Sequence, residues 1–284
     1  MTDTEPVKPH RALRRYKSFA TLALVAAALL AAPAFSAAAS SGTAPVAHVT
    51  AKAKPTVVLV HGAFADSSSW DGVVTKLERE GYPVIGVANP LRDLAGDSAY
   101  LSSVLDTIPG PVVLVGHSYG GAVITDAATG HANVKALVYV AAFAPDQGES
   151  SLAILDRYPG SQLPPALVVR PFPGGQDAYI SQAAFEGVFA ADVPARQARL
   201  MAAEQRPVAV AALAEPSSAP AWKTIPSWFL VAGADHAIPP AAEQAMAQRA
   251  HAHTVVVPNA SHAVLVSHPE ATADLIEEAA QATG

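Results

Sequence analysis

Between Val112 and Gly130 the chain reads VVLVGHSYGGAVITDAATG, with glycine two residues before and two residues after a single serine, in Gly116-His117-Ser118-Tyr119-Gly120. Four β-favouring apolar residues lead in and an apolar-patterned segment follows, so the serine falls where a buried strand turns into a helix. A turn that tight holds Ser118 in a strained conformation with its Oγ projecting from the sheet edge. Side chains at the flanking positions would collide, and glycine removes the collision. A hydroxyl presented in this way is a nucleophile for acyl transfer. That chemistry needs a base to take its proton, an acid to orient the base, and donors for the oxyanion.

In folds that carry the nucleophile on such a strand-to-helix elbow, the three side chains follow the order serine, acid, histidine. His262, in VVVPNASHAVLVSHPE, lies in the loop between the last expected strand and the last expected helix, within reach of the same sheet edge. His251 and His253 fall in a helix-to-strand turn at the opposite edge, and His268 opens the final helix, so His262 is the expected base. Asp235 follows WFLVAG directly, on a strand adjacent to the one leading to His262, and is the expected acid; Asp146, after LVYVAAFAP, is its rival. An N-cap is the structural use of either aspartate. The oxyanion donors are expected to be the main-chain N–H of Tyr119, at a helix N-terminus, and of Ala63 in His61-Gly62-Ala63-Phe64, where Gly62 permits close approach. Phe64 is expected to touch substrate. His61 and His117 are expected to be structural hydrogen-bonders. Neither His236 beside Asp235 nor His251 with His253 has further ligands at metal spacing, and no phosphate-binding glycine loop follows a strand, so no metal and no cofactor are expected.

To place these residues, strands and helices must alternate. TVVLV (Thr56 to Val60), YPVIGVA, VVLV, VKALVYVAA (Val134 to Ala142), WFLVAG (Trp228 to Gly233) and TVVVP (Thr254 to Pro258) are separated by amphipathic segments such as SSWDGVVTKLEREG. Continuous Val/Ile/Leu strands separated by helices predict an α/β fold with a mostly parallel sheet covered on both faces. About 145–223 interrupts the alternation: prolines at 159, 164, 165, 171 and 173 break its first half and QAAFEGVFAADVPARQARLMAAEQ favours helices. A helical cap over the C-terminal edge of the sheet is expected there. Its aromatic residues Tyr158, Phe172, Tyr179, Phe185 and Phe189 either line an apolar pocket or pack the cap itself.

The chain has 284 residues, 51% hydrophobic and 15% charged, with no cysteine, enough for one large core without disulfides or thiolate metal sites. Residues 1–39 combine Arg11, Arg14, Arg15 and Lys17 with the apolar run FATLALVAAALLAA and the small residues APAFSAAAS, the pattern of a secretory signal cleaved between Ala34 and Ala39. A membrane anchor is the competing use of such a run. Residues 40–54 are expected to be a flexible tether and 55–284 the catalytic domain. Removing residues 1–39 takes five of 18 basic and two of 24 acidic residues, leaving 13 − 22 = −9. An acidic chain without a basic run argues against nucleic acid and anionic membrane as partners.

LVHGAFADSSSW, LVGHSYGG, LVYVAAFAPDQGES, LVAGADHAIPP and NASHAVLVSHPE together resemble the α/β-hydrolase superfamily over essentially all of Pro55 to Gly284. The branch they resemble holds small carboxylesterases, including plant methyl esterases and aryl and pyrethroid-type esterases, together with hydroxynitrile lyases. The resemblance implies the α/β-hydrolase fold and a cofactor-free serine esterase acting on a small-molecule ester. The lyases of this branch carry threonine in the oxyanion loop and lysine after the catalytic histidine, where this chain has Gly62 and Ala263. Perhydrolases share the same triad, and some relatives keep a triad while acting as ligand-binding receptors.

Overall fold

The computed structural model describes residues 53–284. The expected signal (1–39) and all but the last two residues of the expected tether (40–54) lie outside the described residues. Six strands form the main sheet: β1 (Thr56–Val60), β2 (Val84–Val87), β3 (Val112–His117) and β4 (Val134–Val140) before the insertion, and β8 (Ser227–Ala232) and β9 (His253–Val257) after it. All pairings are parallel, in the order β2-β1-β3-β4-β8-β9.

Strand β3 is buried along its whole length, which accounts for its unbroken VVLV. Alternate residues serve opposite faces. Val58, Val60, Leu114, Leu137, Tyr139 and Phe229 point into one core. Val57, Leu59, Val113, Val115, Val138 and Leu230 point into the other, where they meet Trp70 and Leu77. α1 (Asp71–Arg79) covers this second face. α2 (Leu94–Leu105) and α3 (Tyr119–Ala127) cover the first. The chain runs outward from β1 to β2 and then returns to lay β3 on the other side of β1. The loops at the ends of β1 and β3 therefore flank a topological switch point, where open α/β sheets bind ligands.

Between β4 and β8 the insertion contains α4 (Ser151–Arg157), α5 (Leu163–Ala166), β5 (Leu167–Phe172), β6 (Gly175–Ile180), α6 (Gln182–Phe189), α7 (Ala195–Glu204), β7 (Val208–Ala209) and α8 (Val210–Ala214). Helix thus accounts for only part of it. β5, β6 and β7 form a three-stranded antiparallel sheet, and the Pro173-Gly174 turn, with Gly174 at φ 100°, joins β5 to β6. Pro171 is tolerated because β5 is an edge strand. Trp222 Nε1 donates to Pro145 O at 2.9 Å and closes the base of the insertion, which is tied to the core where Gln162 N donates to His236 O at 2.8 Å. After β8 come α9 (Pro240–Arg249), β9, α10 (Val264–Ser267) and α11 (Pro269–Thr283), the last packed on the second face. Among the described residues no helix is long and apolar enough to cross a membrane.

Candidate active site

Ser118 follows β3 and caps α3 with φ 54° and ψ −124°, a conformation that costs of order 1–3 kcal/mol for a residue with a side chain. Close packing enforces it. A Cβ on residue 116 would lie 2.5 Å from Gly120 O, and one on residue 120 would lie 2.5 Å from Val60 O. The Ser118 carbonyl accepts from Gly121 N at 2.9 Å and from Phe143 N at 3.1 Å, so both the helix and the segment after β4 hold the turn.

His262 Nε2 lies 2.8 Å from Ser118 Oγ, and His262 Nδ1 lies 2.5 Å from Asp235 Oδ2. All three residues are buried. Asp235 Oδ1 accepts from Ala237 N at 2.6 Å and Ile238 N at 2.9 Å. The carboxylate is therefore fixed by the turn before α9 and presents its other oxygen to the imidazole, which selects the tautomer with the proton on Nδ1 and the lone pair on Nε2. Asp146 is elsewhere, in an ion pair with Lys223 at 2.5 Å, and the hydrogen bond from Lys223 holds its carboxyl below the usual range. Of the two aspartates weighed from the sequence, only Asp235 meets His262.

At the elbow, the N–H groups of Ala63 and Tyr119 have no protein acceptor among the described residues. Tyr119 opens α3, where the helix dipole adds positive potential. The loop carrying Ala63 is braced on both sides. Phe64, at φ 62°, donates its N–H to Arg206 O at 2.9 Å. His61 Nδ1 bonds Gly62 O at 2.9 Å, and Asn89 N donates to His61 Nε2 at 3.1 Å. Burial pushes the His61 imidazole down to about 4, consistent with this neutral donor–acceptor arrangement.

The loop carrying His262 is held from two directions. His117 Nε2 donates to the His262 carbonyl at 2.9 Å, and burial, with His262 beside it, keeps the His117 imidazole well below its ordinary value and hence neutral. From the insertion, Phe189 O accepts from Ala263 N at 2.9 Å, and the Phe189 ring meets the His262 ring edge-on at 4.9 Å between centroids. Asp192 accepts from Ser261 Oγ and lies 3.2 Å from His268 Nε2. Phe189 was only one of five insertion aromatics in the sequence; its position beside His262 depends on the insertion's path, which no local pattern gives. Phe172 and Tyr179 instead face the guanidinium groups of Arg92 and Arg170.

A compact cavity of about 40 Å³ opens beside Ser118. Its walls include Phe64, Phe143, Leu152, Leu155, Leu163 and Leu213, and none of its lining residues is charged. Among the described residues no three His, Asp or Glu side chains converge as metal ligands.

An elbow serine, a hydrogen-bonded histidine and aspartate in that chain order, and a parallel sheet with β1 and β3 side by side decide the family. Residues 57–275 match the model of the alpha/beta hydrolase family. The chain belongs to that family. A carbendazim hydrolyzing esterase from Nocardioides sp. (strain SG-4G) is 34% identical over 132 residues, in a match that covers 42% of this chain and 52% of that relative's length. The crystal structure of a pyrethroid hydrolase from Sphingobium faniae JZ-2 superposes with a TM-score of 0.66 at 25% identity, covering 80% of this chain and 98% of that one. A methylesterase from Arabidopsis, at 18% identity and a TM-score of 0.67 over 80% of this chain and 99% of its own, shares the fold.

One buried group in this α/β hydrolase has no counterpart among the residues picked out from the sequence. Glu243 on α9 is completely buried, and its Oε2 accepts from Ala232 N at 3.1 Å. A signal existed: in PAAEQAMAQRA the positions 242, 243, 246, 247 and 250 share one helical face, and Glu243 is the only charged residue on that otherwise apolar stripe.

Proposed function

We propose that this α/β hydrolase is a serine hydrolase of carboxylic esters that works through an acyl-enzyme intermediate and is exported from the cell. The observation that carries the reading is the continuous chain from Asp235 through His262 to Ser118, at 2.5 and 2.8 Å, beside two N–H groups without an acceptor among the described residues. Ser118 Oγ attacks the ester carbonyl while His262 Nε2 takes its proton. Asp235 stabilises the imidazolium, and the Ala63 and Tyr119 N–H groups receive the oxyanion. The imidazolium then protonates the departing alkoxide, and water, activated by the same imidazole, releases the acid. The apolar cavity at Ser118 favours a compact, uncharged acyl group. Phe189 against His262 shields the base from bulk water, which strengthens each charge interaction in the site.

The related esterase and pyrethroid hydrolase support an ester-cleaving role. Gly62 and Ala263 support hydrolysis over cyanohydrin cleavage, because they lack the threonine hydroxyl and the lysine ammonium that the lyases of the branch carry at these positions. Export rests on the basic, apolar and small-residue order of residues 1–39. The test is turnover of p-nitrophenyl acetate and butyrate by the wild type and Ser118→Ala. Loss of turnover in the variant supports the reading. Turnover that survives in the variant, or tight binding of a small ester without turnover in the wild type, overturns it.

A further inference from the structure

We propose that Glu243 is a positioning residue for the Asp235–His262 pair: a neutral carboxylic acid that donates its proton as a hydrogen bond to the Asp235 carboxylate. This rests on the esterase reading of the site for its kinetic consequences, and on burial and hydrogen-bond partners for the protonation state. Glu243 is 0% exposed and Asp235 4% exposed. Glu243 Oε2 accepts from Ala232 N at 3.1 Å, and Asp235 N donates to Ala232 O at 3.2 Å, so one residue at the end of β8 joins them, and Glu243 Oε1, buried without a donor, stays within reach of the Asp235 carboxylate. Two carboxylates in contact and buried from bulk solvent cannot both be ionised, so one holds a proton.

Counting donors decides which. Asp235 accepts three N–H bonds, from Ala237, Ile238 and His262, and these favour its anion. Glu243 accepts one, from Ala232 N, and its Oε1 has no N–H or O–H donor. A carboxylate offers about four lone-pair sites, so Asp235 keeps one for an O–H donor, and Glu243 Oε1 is the buried oxygen without another use. Among the described residues no cation offsets the pair. Arg249, the cation further along α9, is turned to Ala144 O and Glu149, and His262 is the sole ion-pair partner of Asp235 among the described residues. Burial first, and then the Asp235 charge, push the Glu243 carboxyl well above its ordinary range. The neutral acid thus joins β8, through Ala232, to the carboxylate that orients the base, and it adds no second negative charge beside the imidazole.

The experiment compares wild type, Glu243→Gln and Glu243→Met by difference infrared spectroscopy, by the low-field proton resonance of His262 Nδ1, and by pH profiles of ester hydrolysis. Gln keeps a neutral donor toward Asp235 and an acceptor for Ala232 N–H, whereas Met keeps neither. The proposal expects a protonated-carboxyl C=O band in the wild type at neutral pH that is missing from E243Q. It expects kcat of E243M to fall about 10- to 100-fold with KM unchanged, and E243Q to recover most of that loss with the acid limb of kcat/KM in place. A missing band overturns the proposal. So does an acid limb that moves about one unit lower in E243Q, since that would mean a negative charge had been removed, or an E243M enzyme with full kcat. If the wild type hydrolyses no ester, the esterase reading fails. The infrared band and the Nδ1 resonance then judge Glu243 without it.

Discussion

Replacing Asp235 by asparagine has an outcome that the surrounding donors dictate. Oδ1 accepts the N–H groups of Ala237 and Ile238, while Oδ2 faces His262 Nδ1. The asparagine carbonyl must take the Oδ1 site, because the reverse orientation would aim an NH₂ group at two buried N–H donors, at about 1–3 kcal/mol for each donor left unpaired. The amide NH₂ then points at His262 Nδ1, which must present a lone pair. The ring proton therefore moves to Nε2, opposite Ser118 Oγ, and the base has nothing with which to accept the serine proton. A fall of about 10⁴ in kcat is expected, equivalent to about 5.5 kcal/mol. Asp146→Asn is the control. It disrupts a half-exposed pair with Lys223, worth at most about 1 kcal/mol, and should leave kcat within about twofold. Steady-state hydrolysis of p-nitrophenyl butyrate measures both, with circular dichroism verifying the fold. Asp235→Asn retaining more than about 1% of wild-type kcat, or Asp146→Asn falling as far as Asp235→Asn is expected to, would refute the reasoning.

Three further outcomes follow from the same contacts. A Cβ at position 62 would lie 2.6 Å from Ser118 Cβ and 2.8 Å from His117 O, so Gly62→Ala must displace the elbow or the Ala63 N–H. Loss of that one oxyanion donor predicts about 10²- to 10³-fold lower kcat, with the fluorophosphonate labelling rate falling in parallel. His61 is held at about 4 by burial against 6.5 in the unfolded chain, so between those values the unfolded state binds a proton that the folded state does not. Its contribution is therefore complete above pH 6.5 and is lost as pH falls toward 4, about 3 kcal/mol in all, and urea unfolding should show His61→Gln less acid-sensitive than wild type. An identical pH dependence in the two proteins would contradict that assignment. In a p-nitrophenyl ester series, kcat/KM should fall as the acyl chain outgrows the cavity between Phe143 and Leu155, and an undiminished rate with long chains would exclude that cavity as the acyl site.

The main sheet was legible in the sequence because its central strands are buried on both faces and therefore read as unbroken apolar runs. Strand order was not: TVVVP reads like the central strands, yet β9 is an edge strand with Val255 and Val256 39% and 46% exposed. In the insertion, a count of prolines hid a hairpin. LVVRPF and GQDAYI flank a Pro-Gly turn, and the edge position of β5 makes Pro171 harmless. At the site, the meeting of Ser118, Asp235 and His262 was legible in the sequence because each lies in the segment that follows a strand of one parallel sheet, so one-dimensional order predicts three-dimensional proximity. Phe189, the His117 bond to the His262 carbonyl, and Glu243 depend on contacts between distant elements. Only Glu243 left a local trace, as a charge on an apolar helical face.

The claim on which the rest depends is that Ser118 carries the acyl group during turnover. Rapid acid quench of the wild type with p-nitrophenyl butyrate, followed by peptide mass spectrometry, tests it directly. The account predicts a butyryl adduct on the peptide containing Ser118, accompanied by a burst of p-nitrophenol comparable to the enzyme concentration and absent from Ser118→Ala. Turnover of the ester with an adduct on another residue, or with Ser118→Ala as active as wild type, would contradict it.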